Sequence, residues 1–135
     1  MAPDKKIISR FQNRYSLPVT EAALAVEREV IGANVGANGY TTLAQADALI
    51  HKLGLQPATR LLDIGAGKGW PGLYLARQSG CDVVLADIPA PGLATAAGRA
   101  RQLGLANRAS VLRAAAERLP FRPRAFDAIV HTDTL

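Results

Sequence analysis

RLLDIGAGKGWPG, residues 60–72, is the stretch whose reading decides the fold. An apolar pair, Leu61 and Leu62, leads to a carboxylate at Asp63, and glycines follow at 65, 67, 69 and 72 before an apolar pattern of helical period begins. A short strand that empties into a glycine turn and a helix start is a device for holding a small molecule. Glycine has no Cβ and tolerates positive φ, so the backbone can lie against a ligand. The N–H groups of a helix start have no intrahelical partners and are expected to point toward it.

Two ligand classes compete for such a turn. Gly67-x-Gly69-x-x-Gly72 fits the dinucleotide fingerprint, but that fingerprint begins where the strand ends, so that a pyrophosphate meets the helix dipole. Here the strand is read as ending at Asp63. A carboxylate two residues before the first glycine repels a phosphate at short range and attracts a ligand carrying positive charge. Asp63-x-Gly65-x-Gly67-x-Gly69 resembles the first motif of the Rossmann-like, class I S-adenosylmethionine-dependent methyltransferases. That cofactor has no phosphate and carries an ammonium and a sulfonium, so electrostatics favour it over a nicotinamide cofactor. The resemblance covers residues 18–135 and is closest over 36–87, where GANGYTT, LLDIGAG and GWPGLYLA are similar to a small-molecule subgroup.

Outward from the turn, strands alternate with helices. Asp82 to Ala86 reads as a buried strand delivering Asp87 at its tip, a helix starts at Pro91-Gly92, and Ala109–Arg113 and Phe126–Val130 read as third and fourth strands. Such alternation predicts an α/β fold, a doubly wound parallel sheet of about four strands. Two helices precede it. Residues 18–32 place Ala22, Val26 and Val30 on one stripe, and Thr42 with Gln45 forms a capping-box pattern before Leu43, Ala46, Ile50 and Leu53. The chain divides into a flexible N-terminus, 1–17, a helical cap, 18–56, and a Rossmann-like part, 57–135.

The 135 residues carry a net charge of +5, with twelve arginines and four lysines. Seven of the arginines fall between residues 98 and 124, where Glu117 is the only acid. Such a cluster can attract nucleic acid, but no aromatics are interleaved for base stacking, and a solvated surface is the expectation. Cys81 is the single cysteine, and no segment has the run of apolar residues that a membrane span needs. A cytoplasmic protein is predicted.

The resemblance implies roles for further residues. Asp63, Gly65, Ala66 and Gly67 would bind the cofactor at the turn, with Tyr40 and Thr41 at its methionine end. Asp87 would accept from the ribose hydroxyls, as a carboxylate on a second strand also does for other nucleotides. Ile88 would face the adenine, the Ala116 N–H would address the ring edge, and Glu117 would replace an aspartate that the family places at 115, where this chain has Ala115. His131 and Asp133, just past the fourth strand, are the candidates for orienting or deprotonating an acceptor. No metal site is expected. Cysteine 81 and His51 read as packing and surface residues.

The family's sheet has seven strands. The resemblance therefore implies a chain that stops halfway, a small-molecule methyl acceptor whose pocket the later half completes, and a homodimer formed through an exposed sheet edge. A non-catalytic remnant or interaction module, and an RNA methyltransferase, are the competing expectations.

Overall fold

The computed structural model describes residues 20–32 and 41–132. Tyr40, Asp133 and the whole of the predicted N-terminal segment 1–17 lie outside the described residues.

Helix α1, Glu21–Ile31, is capped by the Thr20 hydroxyl, which accepts from the Ala23 N–H at 3.1 Å. Helix α2, Leu43–Leu53, opens with the predicted reciprocal box: Thr42 accepts from the Gln45 N–H at 3.1 Å, and Gln45 accepts from the Thr42 N–H at 2.9 Å. Ala46 on α2 is fully buried, and Leu43, Ile50 and Leu53 pack against the core. The predicted stripe on α1 is corrected. Val26 is 61% exposed and Val30 48%, whereas Leu24, Glu27 and Ile31 form the covered face. The apolar Leu24 and Ile31 turn inward together with Glu27, which interacts electrostatically with Arg99 on a later helix.

The sheet follows the predicted order of elements. Strand β1, Arg60–Ile64, leads through the glycine turn to α3, Gly72–Ser79; β2, Asp82–Asp87, leads to α4, Ala90–Gln102; β3, Ala109–Arg113, leads through a 3-10 turn, Ala116–Arg118, to β4, Ala128–Val130. All pairings are parallel, and the spatial order is β3-β2-β1-β4. The order reverses between β1 and β4, so the C-terminal ends of these two strands diverge in connection and leave a crevice, the usual ligand position in open α/β sheets.

Side chains alternate across the sheet. Leu61, Asp63, Val83, Leu85, Ala128 and Val130 share one face and are buried. Helix α3 closes on it so tightly that a Cβ at Gly72 would meet Asp63 Oδ2 at 2.5 Å and Leu85 Cδ2 at 2.6 Å. Ala96 of α4 lies beside Gly69 on the same face. The opposite face carries Leu62, Val84, Ser110 and Ile129 in one hydrogen-bonded row, with Ile129 57% exposed. A shallow groove of about 200 Å³ lies toward the N-terminal strand ends, lined by Arg60, Asp82, Val84, Ser110 and Phe126 among others. No described helix is long and apolar enough to cross a membrane.

Candidate functional site

The site is built where the glycine turn meets the tip of β2. Gly65, Gly67 and Gly69 all adopt positive φ, of 74°, 54° and 100°, which folds the chain back across the sheet's C-terminal edge. The Gly65 and Ala66 N–H groups donate to the Ala86 carbonyl at 2.8 and 3.1 Å. The Gly67 N–H donates to Asp87 Oδ2 at 2.8 Å, and the Ile88 N–H to Asp87 Oδ1 at 2.8 Å. One carboxylate therefore fixes the turn after β1 and the turn after β2 together.

The helix start is occupied in the same way. Pro71 has no N–H, the Gly72 N–H donates to Asp63 Oδ2 at 3.0 Å, and the Leu73 N–H donates to the Gly69 carbonyl at 2.8 Å. This corrects the expectation that amides at the helix start point freely at a ligand. The Gly72 and Leu73 N–H groups each have a protein acceptor, so neither is offered to a pyrophosphate. Asp63 is likewise placed beneath the turn and not on its open side. It is 1% exposed, and burial pushes its carboxyl well above the ordinary carboxylate range, against the Gly72 hydrogen bond, while Asp87 adds a smaller upward push. Its work is to hold α3 to β1.

Asp87 is half-buried at the crevice, and desolvation raises its carboxyl too, opposed by the Ile88 and Gly67 N–H groups. Each of its oxygens accepts one backbone hydrogen bond and keeps a lone pair for a ligand hydroxyl. Ile88 is half-buried next to it, and Ala116 and Glu117 are exposed on the 3-10 turn beyond β3. His131 is exposed immediately after β4, whose register with β1 sets Val130 opposite Asp63. The tips of β1, β2 and β4 thus bring Gly65, Ala66, Gly67, Asp87, Ile88 and His131 to one edge.

Thr41 enters by a route that the sequence did not disclose. Its carbonyl accepts from Trp70 Nε1–H at 2.9 Å, and both residues are buried. Trp70 packs against Tyr74 with ring centroids 5.4 Å apart, and the Tyr74 hydroxyl donates to Asp47 Oδ1 on α2 at 2.5 Å. Partial burial and the Asp47 carboxylate push the Tyr74 phenol up to about 12. Trp70, Tyr74 and Asp47 anchor the helical cap to the glycine turn. The signal was a tryptophan inside the glycine motif, a large side chain where only backbone seemed required.

Among the described residues no group of three His, Cys, Asp or Glu side chains is arranged to hold a metal. Cys81 is buried, and His51 is exposed on α2.

The model of the methyltransferase domain family matches residues 61–135. This chain belongs to that family. Among relatives, it is 35% identical over 83 residues to the methyltransferase GfsG of Streptomyces halstedii, covering 62% of this chain and 30% of that protein. A solved S-adenosylmethionine-dependent methyltransferase from Geobacter sulfurreducens, in complex with S-adenosylhomocysteine, is 28% identical with a TM-score of 0.54, covering 67% of this chain and 36% of the other. Geranyl diphosphate C-methyltransferase from Streptomyces coelicolor A3(2) shares the fold over 96% of this chain and 54% of its own, at 24% identity and a TM-score of 0.71. The chain thus spans about a third of the relative's length and carries the class I methyltransferase fold, a Rossmann-like parallel sheet. Its residues fit the adenosyl cofactor of that family: the Gly65, Ala66 and Gly67 amides serve the protein instead of a phosphate, and the Asp87 carboxylate at the crevice keeps acceptor capacity beyond its two backbone hydrogen bonds.

Proposed function

We propose that this chain is the cofactor-binding half of a cytoplasmic S-adenosylmethionine-dependent methyltransferase that acts on a small-molecule acceptor. The observation that carries the reading is the hydrogen bonding of the glycine turn, whose Gly65, Ala66 and Gly67 amides end on Ala86 and Asp87 and so serve the protein. Relatives named as methyltransferases support it, and the lone buried thiol of Cys81 suits a reducing compartment.

Asp87 accepts from the ribose hydroxyls, Ile88 flanks the base, and the Ala116 N–H meets the ring edge. Gly65, Ala66 and Gly67 line the sugar's path, and Thr41 with Tyr40 closes the methionine end. Bound S-adenosylmethionine supplies an electrophilic methyl on a good leaving group. What the chain must then add is chiefly alignment of an acceptor. His131, exposed just past β4, would take or orient an acceptor's proton, and Asp133, two residues on in sequence, is the second candidate. The domain division into cap, 18–56, and Rossmann-like part, 57–135, is part of the same proposal; the Trp70–Thr41 bond is what joins them.

Calorimetric titration of the 135-residue chain with S-adenosylhomocysteine tests the reading, with NADH as the comparison ligand. Binding of the former and not the latter is expected. Asp87→Ala should weaken it about tenfold or more, the loss of charge-assisted hydrogen bonds. Preference for NADH would overturn the assignment.

A further inference from the structure

A parallel sheet gathers its strand starts at one edge, and the helices between strands return the chain to it. Here that edge lies opposite the one carrying the glycine turn and Asp87. Arg60 opens β1, Arg108 directly precedes β3, and Arg122 and Arg124 stand before β4. Arg77 lies in the last turn of α3 and Arg101 in that of α4. All but the half-buried Arg108 are exposed. The arginine cluster of the sequence is thus divided: Arg113 and Arg118 follow β3 to the cofactor edge, and Arg60 and Arg77 join the strand starts from earlier in the chain.

A cation in the last turn of a helix offsets its dipole, which accounts for Arg77 and Arg101. It does not account for the others. The Arg60 guanidinium lies 5.9 Å from the centre of the Phe126 ring, and Arg108 Nη1 donates to the Ala76 and Cys81 carbonyls at 3.0 Å each, so both charges are held in place. Both line the groove of about 200 Å³ at the strand starts, to which Asn107 and Ser110 add polar groups. Arg124 adopts φ 62° at the third position of a turn closed by the Ala125 N–H on the Arg122 carbonyl at 3.2 Å. Glycine or asparagine is usual there, so a cation is kept at a conformational cost, which points to work for its charge. Asp82, which also lines the groove, and Asp127, whose Oδ2 accepts from the Arg60 N–H at 2.9 Å, are the acids on these strand starts. The two rings at this edge are already engaged: Phe121 and Phe126 meet edge to face with centroids 4.7 Å apart, and Phe126 faces Arg60. Charge without rings for stacking suits the phosphates of a duplex better than a splayed single strand.

We propose that the strand-start edge binds the phosphate backbone of double-stranded nucleic acid, on the side of the sheet away from the cofactor edge and independently of methyl transfer. Fluorescence anisotropy of the full chain with a fluorescein-labelled RNA duplex, and with the DNA duplex of the same sequence, tests it. Micromolar binding of both is expected, falling with salt at a log–log slope of roughly −3 to −4, as for about four phosphate contacts. Arg122→Gln and Arg124→Gly should each weaken binding about fivefold and reduce the slope by about one. Glycine suits the φ at 124, so the loss in that variant is one of charge and not of folding. Arg118→Gln, at the cofactor edge, should change binding by less than about twofold. No duplex binding at low salt, tighter binding of the single strand, or a loss on Arg118→Gln equal to that on Arg122→Gln overturns the proposal. Stronger binding to phosphatidylglycerol vesicles than to either duplex would assign the surface to a membrane and overturn it as well.

Discussion

Asp63 shows how one residue can be read correctly as important and still do different work from the work expected. Its place at the end of β1 suggested a charge offered to a cationic ligand; packing puts it under the turn, where it accepts from the Gly72 N–H. A buried carboxyl with a raised pKa favours the protonated form in the folded state, so its contribution to stability is fully present below its unfolded pKa and is lost as pH rises through the folded one. Asp63→Asn, which keeps an acceptor for Gly72, removes that loss. Thermal melts at pH 5 and pH 8 should therefore show the variant gaining on wild type as pH rises, by on the order of 1 kcal/mol or roughly 4 °C for a domain of this size. A variant that loses ground with rising pH would show that the carboxylate is stabilised as an anion.

The elements were largely legible because their signals are local. The Thr42-Gln45 box and Gly54 marked both ends of α2, and the apolar runs marked β2 and β3. Helix α1 was placed but its face was not, since a periodic stripe of Ala22, Val26 and Val30 competes with one of Leu24 and Ile31, and only the folded chain, where Glu27 also interacts with Arg99 some seventy residues on, decides between them. How α2 meets the glycine turn was equally hidden, because it depends on one indole. Trp70→Phe removes the buried hydrogen bond from the indole to the Thr41 carbonyl and should cost about 1–3 kcal/mol in denaturant unfolding. Tyr74→Phe removes a hydrogen bond to the exposed Asp47 and should cost well under that. Equal costs would mean that the phenol contributes as much to the α2 anchor as the indole.

At the scale of the molecule one face of the sheet is covered by α3 and α4, and the other is mixed, with Leu62 buried and Ile129 57% exposed. Strand β4 ends the order, and its Ile129 stands exposed in a row with Leu62 and Val84. An uncharged strand at a sheet's edge is a template for pairing with another chain, and lysine there is the common defence. Self-association through this edge, the homodimer expected from the sequence, should make sedimentation concentration-dependent, and Ile129→Lys should reduce it without lowering the melting temperature by more than a few degrees. A chain that sediments as a monomer at every concentration would remove the edge as an interface.

The sequence by itself determined the α/β alternation, the glycine turn and the residues that gather at the strand tips, because strand periodicity, caps and glycine positions are written in neighbouring residues. Tertiary structure alone decided which amides remain for a ligand. The Gly65, Ala66 and Gly67 N–H groups are committed only once β2 lies beside β1, and whether a turn cradles a phosphate or serves its own sheet follows from that pairing across twenty residues of chain. Burial works the same way, since Asp63 changes from a presented charge to a structural acceptor when α3 closes over it.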